Sequence, residues 1–113
     1  EEIVAANYEI QWICAAADSL GLCLFGRSVT NESMDFVVEA LNQAQGTSFD
    51  ESFFHDLGAE TLTMEWDFNK QAGFTEEDDE LPSFFFDEPL EPTGKTQRHK
   101  AADVNKAMRA LIG

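Results

Sequence analysis

EIVAANYEIQWICAAADSLGLCLFG, residues 2–26, sets the class of the fold. Its first sixteen residues, 2–17, hold no proline or glycine. Ile3, Ala6, Ile10, Cys14 and Ala17 recur at intervals of three and four, which predicts a helix. Trp12 and Ile13 widen the apolar stripe, so this helix is expected to pack on more than one side. Gly21 should end or bend it, because glycine reaches backbone angles that other residues avoid. Gly26 marks a second break. Asp18 is the odd residue. It falls near the helix C-terminus, where the partial negative charge of the aligned peptide dipoles disfavours an anion. Five residues later Cys23 stands among Leu20, Leu22, Leu24 and Phe25. A bland account makes Asp18 a helix-end residue and Cys23 a core residue. A functional account makes Cys23 a thiolate ligand in a dry, leucine-lined site, where burial tunes a cluster's potential.

Outward from this segment the helical pattern repeats. Residues 31–45 form the next predicted helix, capped by Thr30 or Asn31, with Phe36, Val37, Ala40, Leu41 and Ala44 as its apolar face and Gly46 as its stop. Residues 50–71 form the longest. Ser48 and Glu51 have capping-box spacing, with Asp50 as a rival cap. Phe53, Phe54, Leu57, Leu62, Met64 and Phe68 supply its buried side, and Gly58 marks a close helix contact or a break. Residues 74–94, FTEEDDELPSFFFDEPLEPTG, carry three prolines and an acidic run, which exclude a long helix. They read as an irregular, extended strap that pins Phe84, Phe85 and Phe86 onto the helices. Residues 95–113 form a basic tail, with a short helix at 102–111 through Val104, Met108, Leu111 and Ile112. No strand-like alternation of useful length is present. The expected fold is all-α: one small helical bundle over residues 1–113 with a Pro/acidic strap near the C-terminus.

Charge divides the chain. Residues 1–93 hold 21 acids and two bases, and residues 94–113 hold five bases and one acid, so −19 and +4 make the total of −15. Such a body repels nucleic acid and anionic lipid. No apolar run is long enough to span a membrane. The basic tail is open to lying on the chain's own acidic surface or on a partner; the blander reading is a solvated, highly charged surface that keeps the domain in solution. Along a helix Cys14 and Cys23 would lie about 13 Å apart, beyond the roughly 7 Å that a disulfide allows. Reduced cysteines point to a cytoplasmic setting. The sequence opens on Glu1 directly into helix, which reads as a piece of a longer protein.

Few constellations carry chemistry. Glu76–Glu80, EEDDE, lacks the spacing of a calcium loop and reads as a solvated acidic turn. His55 and His99 have no companion at metal-binding spacing, and Cys14 reads as a small hydrophobe. No nucleophile elbow or phosphate loop is present, so no catalytic residue is assigned.

The segment DSLGLC, Asp18 to Cys23, resembles the D-x-x-G-L-C motif of the tungsten-dependent aldehyde:ferredoxin oxidoreductases. A second stretch, residues 57–90, is similar to that family's C-terminal block. Phe68, Asn69, Gly73 and Phe74 match Phe-Asn-x-x-x-Gly-Phe. An acidic turn follows, then Leu81–Pro82 and a Glu-Pro-Leu at Glu88 to Leu90. Leu41 to Gly46, LNQAQG, matches a Leu-Asn-x-x-x-Gly. The resemblance runs over about residues 1–92.

The resemblance implies an enzyme that oxidises aldehydes to carboxylates and passes electrons to ferredoxin. It implies tungsten, or molybdenum in some relatives, held by two pterin dithiolenes, and an adjacent 4Fe-4S cluster. Cys23 would be the fourth cluster ligand, the other three coming from a C-x-x-C-x-x-x-C segment upstream. Asp18 would accept hydrogen bonds from the pterin, and Leu22 would add backbone contacts. The remaining domains of the same chain, ferredoxin and an aldehyde are the implied partners, with homo-oligomerisation left open and neither nucleic acid nor membrane expected. Gln71 stands where well-known members carry an Arg, and the tail differs from theirs, which leaves the substrate open. By itself the chain is expected to lack metal, cluster and activity. The rival reading is a non-enzymatic acidic helical interaction module.

Overall fold

A computed structural model describes residues 2–26 and 33–112. Among them five α-helices appear and no strand: α1 Glu2–Ser19, α2 Met34–Gln45, α3 Phe53–Gln71, α4 Phe84–Asp87 and α5 Ala101–Ile112. A single 3₁₀ turn, Leu24–Gly26, follows α1. The domain is all-α. Residues 27–32 lie outside the description, and with them the expected cap at Thr30 or Asn31.

α1 is the hub. It packs along α3, meets α5 and touches the 3₁₀ turn, while α2 rests on α3. Gly58 is buried, and a Cβ there would lie 2.1 Å from the Trp12 carbonyl oxygen. This glycine is therefore a close helix contact and not a break: α3 runs on through it. Beside it the Trp12 and His55 rings meet edge to face at 4.9 Å, and the Ser19 and Thr61 hydroxyls lie 3.3 Å apart.

The interior is two small clusters. One gathers Ala16, Ala17, Val37, Val38 and Phe54, with Phe54 fully buried. The other gathers Tyr8, Leu62 and Met108. The radius of gyration is 17.4 Å, against about 13 Å for a compact domain of this length. The helices spread over a wide frame, and many apolar side chains face outward.

Several expected faces are corrected. On α1 the packed residues are Val4, Tyr8, Trp12, Ile13, Ala15, Ala16 and Ala17, so Trp12, Ile13 and Ala17 pack as expected, whereas Ile3 and Ile10 are 69% and 60% exposed. α1 is apolar nearly all round, so its periodicity did not distinguish the stripe its neighbours cover. On α2 the buried pair is Val37 and Val38, with Phe36, Ala40 and Ala44 outside. On α3, Met64 and Phe68 are exposed. No Ser48–Glu51 box forms. Asp50 instead accepts hydrogen bonds from the Ser52 N–H at 3.0 Å and the Ser52 hydroxyl at 2.8 Å, and that hydroxyl also bonds Asp56 at 2.8 Å. Residues 74–94 hold turns and the one-turn α4. Their phenylalanines are not driven into the bundle: Phe84 and Phe85 stack on each other at 4.3 Å, and Phe86 lies under the Lys100 ammonium at 3.4 Å.

Candidate functional site at the end of the first helix

Two backbone bonds close α1. The Leu22 N–H donates to the Ala17 carbonyl at 2.8 Å, and the Gly21 N–H donates to the Asp18 carbonyl at 3.0 Å. Gly21 has φ 68°, in the left-handed region. This pair of bonds around a left-handed glycine is a Schellman motif. Leu22 packs on the cluster that contains Ala17, the apolar contact that accompanies this motif. The chain then turns once more, with the Gly26 N–H bonded to the Cys23 carbonyl at 2.9 Å.

This geometry divides the segment into explained and unexplained residues. Gly21 is required by its backbone angle alone: a Cβ there would meet nothing within 4 Å, so no close approach to a neighbour demands it. Leu22 is half-buried, and its N–H is committed to Ala17. Asp18 and Cys23 are different. Both side chains are exposed. Among the described residues no hydrogen bond or ion pair reaches the Asp18 carboxylate, and no basic residue stands in the last turn of α1 to offset its charge. Cys23 is a free thiol. Phe25, two residues on, is 97% exposed. A carboxylate, a thiol and a phenyl ring, within eight residues of one another, are thus all exposed at the end of a helix closed by a Schellman motif. The bland account of Cys23 as a core residue does not hold.

The other sequence candidates lie apart from this patch. Cys14 is half-buried on α1. His55 is exposed at the start of α3, with Nδ1 3.3 Å from Asp56. Asp56 is held below the ordinary aspartate value, mainly by the Ser52 hydroxyl and then by His55. His99 is exposed on the lead-in to α5. Among the described residues no three His, Cys, Asp or Glu side chains gather to hold a metal by themselves.

The sequence matches the family described as aldehyde ferredoxin oxidoreductase, domains 2 & 3, over residues 1–111. The chain belongs to this family. No curated protein and no solved structure matches it.

Within this chain, two of the stretches that carry the resemblance have local structural explanations. Asn42 of LNQAQG organises the end of α2. Its side-chain N–H donates to the Phe49 carbonyl at 2.8 Å, while its Oδ1 accepts from the Thr47 hydroxyl at 2.7 Å and the Phe49 N–H at 2.8 Å. Gly46 ends that helix at φ 67°, donating to the Asn42 carbonyl. The end of α3 is closed by the Phe74 N–H on the Asn69 carbonyl at 3.0 Å. Sequence reasoning missed the role of Asn42. Its signal was an amide placed four residues before a helix-stop glycine.

Proposed function

We propose that this chain is the C-terminal helical domain of an enzyme that oxidises an aldehyde to a carboxylate and passes the electrons to ferredoxin. In this reading Cys23 supplies one thiolate to a 4Fe-4S cluster, Asp18 accepts hydrogen bonds from a pterin ring, and Leu22 adds a backbone contact. The observation that carries the reading is the exposure of Asp18 and Cys23, with no partner for either side chain among the described residues, on either side of a helix stop that accounts for Gly21 and Leu22 by itself.

The residues present fit such groups in donor chemistry. A soft thiolate suits iron. A carboxylate accepts ring N–H groups strongly, since charge-assisted bonds are about twice as strong as neutral ones. The Leu22 N–H is already used, so a ring donor meets Leu22 through its carbonyl. When bound, a tungsten- or molybdenum–pterin supplies the two-electron oxidation and the cluster relays the electrons. The task of these residues is to hold both in place. The Schellman turn fixes the direction in which Asp18 and Cys23 leave α1, and Phe25 offers apolar surface that excludes water once covered. One thiolate cannot hold a cluster, so this stretch alone is proposed to be inactive. Its partners are the remaining domains of the same chain, which cover the outward apolar residues of α1 and α3. The setting proposed is the cytoplasm, where both thiols stay reduced. Among the described residues no helix is long and apolar enough to cross a membrane.

Metal analysis of the full-length protein, purified without oxygen, tests this. Iron and tungsten are expected in the parent, with iron lost in Cys23→Ser and retained in Cys14→Ser. Equal iron in the parent and Cys23→Ser overturns the ligand assignment. No metal in the parent favours the acidic interaction module.

A further inference from the structure

The acidic segment and the helix of the basic tail meet in space. The Thr75 N–H and hydroxyl both donate to Asp78 Oδ2, at 2.7 and 2.9 Å, and fold residues 75–78 into a turn. Three carboxylates around that turn then reach α5. Glu80 accepts from the Ala101 N–H at 3.3 Å, Asp79 accepts from the Asn105 side-chain N–H at 2.7 Å, and Glu76 pairs with Arg109. Residues 101, 105 and 109 are spaced by four and form one stripe of the helix. The stripe beside it, Val104, Met108 and Ile112, belongs to the cluster with Tyr8 and Leu62. The lead-in is fastened as well. The Leu90 N–H donates to the Lys95 carbonyl and the Gln97 N–H to the Phe85 carbonyl, both at 2.8 Å.

From this juxtaposition we infer that α5 is a latched helix, stitched at residues 101, 105 and 109 to Glu80, Asp79 and Glu76, which undocks from the α1–α3 pair as one unit when the stitch is neutralised. α5 has a single buried side chain, Met108. The three carboxylates that hold it are exposed, and salt screens the Glu76–Arg109 pair. The α1–α3 pair is held differently, by an intimate backbone approach at Gly58 and by Phe54 in a closed core. The two attachments therefore respond to different perturbations. Other charges line the groove between the end of α3, the acidic turn and α5, namely Asp67 and Lys70. Undocking uncovers Tyr8 and Met108 and frees the basic tail from the acidic body. The latch does not depend on the proposed redox role.

Residue-resolved hydrogen exchange on the intact chain tests the latch. The triple substitution Glu76→Gln, Asp79→Asn, Glu80→Gln is expected to speed exchange at amides 105–112 roughly tenfold, with α1 and α3 unchanged. Raising salt from about 50 to about 500 mM, which chiefly screens the Glu76–Arg109 pair, should act in the same direction but more weakly on the unsubstituted chain and have little effect on the triple variant. Met108→Ala should also speed exchange in α5 but keep its salt response. Unchanged exchange in α5, or acceleration shared equally by α1 and α3, overturns the latch.

Discussion

Two helix ends in this protein use the same stop and differ in what surrounds it. α1 ends at Gly21 with φ 68°, and α2 ends at Gly46 with φ 67°. Each carries a polar residue in its last turn, Asp18 in one and Asn42 in the other. Asn42 makes three side-chain hydrogen bonds within seven residues and ties down the loop to Phe49. Asp18 makes none among the described residues. The α2 end is complete in itself. The α1 end presents a charge at the wrong end of a helix dipole, next to an exposed thiol. Near-neighbour hydrogen bonds account for Asn42 at one end, whereas at the other Asp18 and Cys23 have no such partner among the described residues, which is why the α1 end is read as the site.

The largest expected effect separates a glycine required by contact from one required by conformation. Gly58→Ala drives a Cβ to 2.1 Å from the Trp12 oxygen and should cost about 3 kcal/mol in denaturant unfolding. A loss below that of Gly21→Ala would refute the close contact. Next is Asn42→Ala, which strips the α2 end of its bonds and should cost about 2 kcal/mol. Gly21→Ala and Gly46→Ala should then cost about 1 kcal/mol each, and equally, since both glycines sit in open space and only the backbone angle resists a Cβ. A much larger loss at Gly21 would mean that its surroundings are closer than they are at Gly46.

The smallest stability effect belongs to Asp18. Asp18→Asn should change stability by less than about 0.5 kcal/mol, with the sign toward stabilisation as the helix end loses an unfavourable charge. A loss as large as that of Asn42→Ala would give Asp18 a local role and erase the contrast. A last test uses pH. Asp78 is held below the ordinary aspartate value by the Thr75 N–H and then by the Thr75 hydroxyl. A depressed folded-state value means that the turn's contribution is present above the unfolded value and fades as pH falls through the folded one. Side-chain NMR of Asp78 should therefore titrate at lower pH in the parent than in Thr75→Val.

Much of this was legible along the chain. The helices, the stops at Gly21 and Gly46, the split of charge and the D-x-x-G-L-C segment all have local signatures. So did the possibility that Gly58 marks a close contact. Helix faces were less legible: Ile3, Ile10, Met64 and Phe68 fit the apolar stripes of their helices and yet lie outside. The candidate site was legible as a list of residues. That Asp18 and Cys23 stand exposed, while Leu22 is turned to packing, needed the fold.

What depends on near neighbours is written along the chain: the helix period, the glycines that must take left-handed angles, and the acidic and basic segments. These follow from backbone sterics and from charges counted along the chain. Packing in three dimensions chose which stripe of α1 is covered, how closely α3 approaches Trp12, and which carboxylates meet residues 101, 105 and 109. Those outcomes join residues twenty to fifty positions apart. A helix that is apolar nearly all round offers several faces of similar burial energy, and the choice among them belongs to the partner that packs against it.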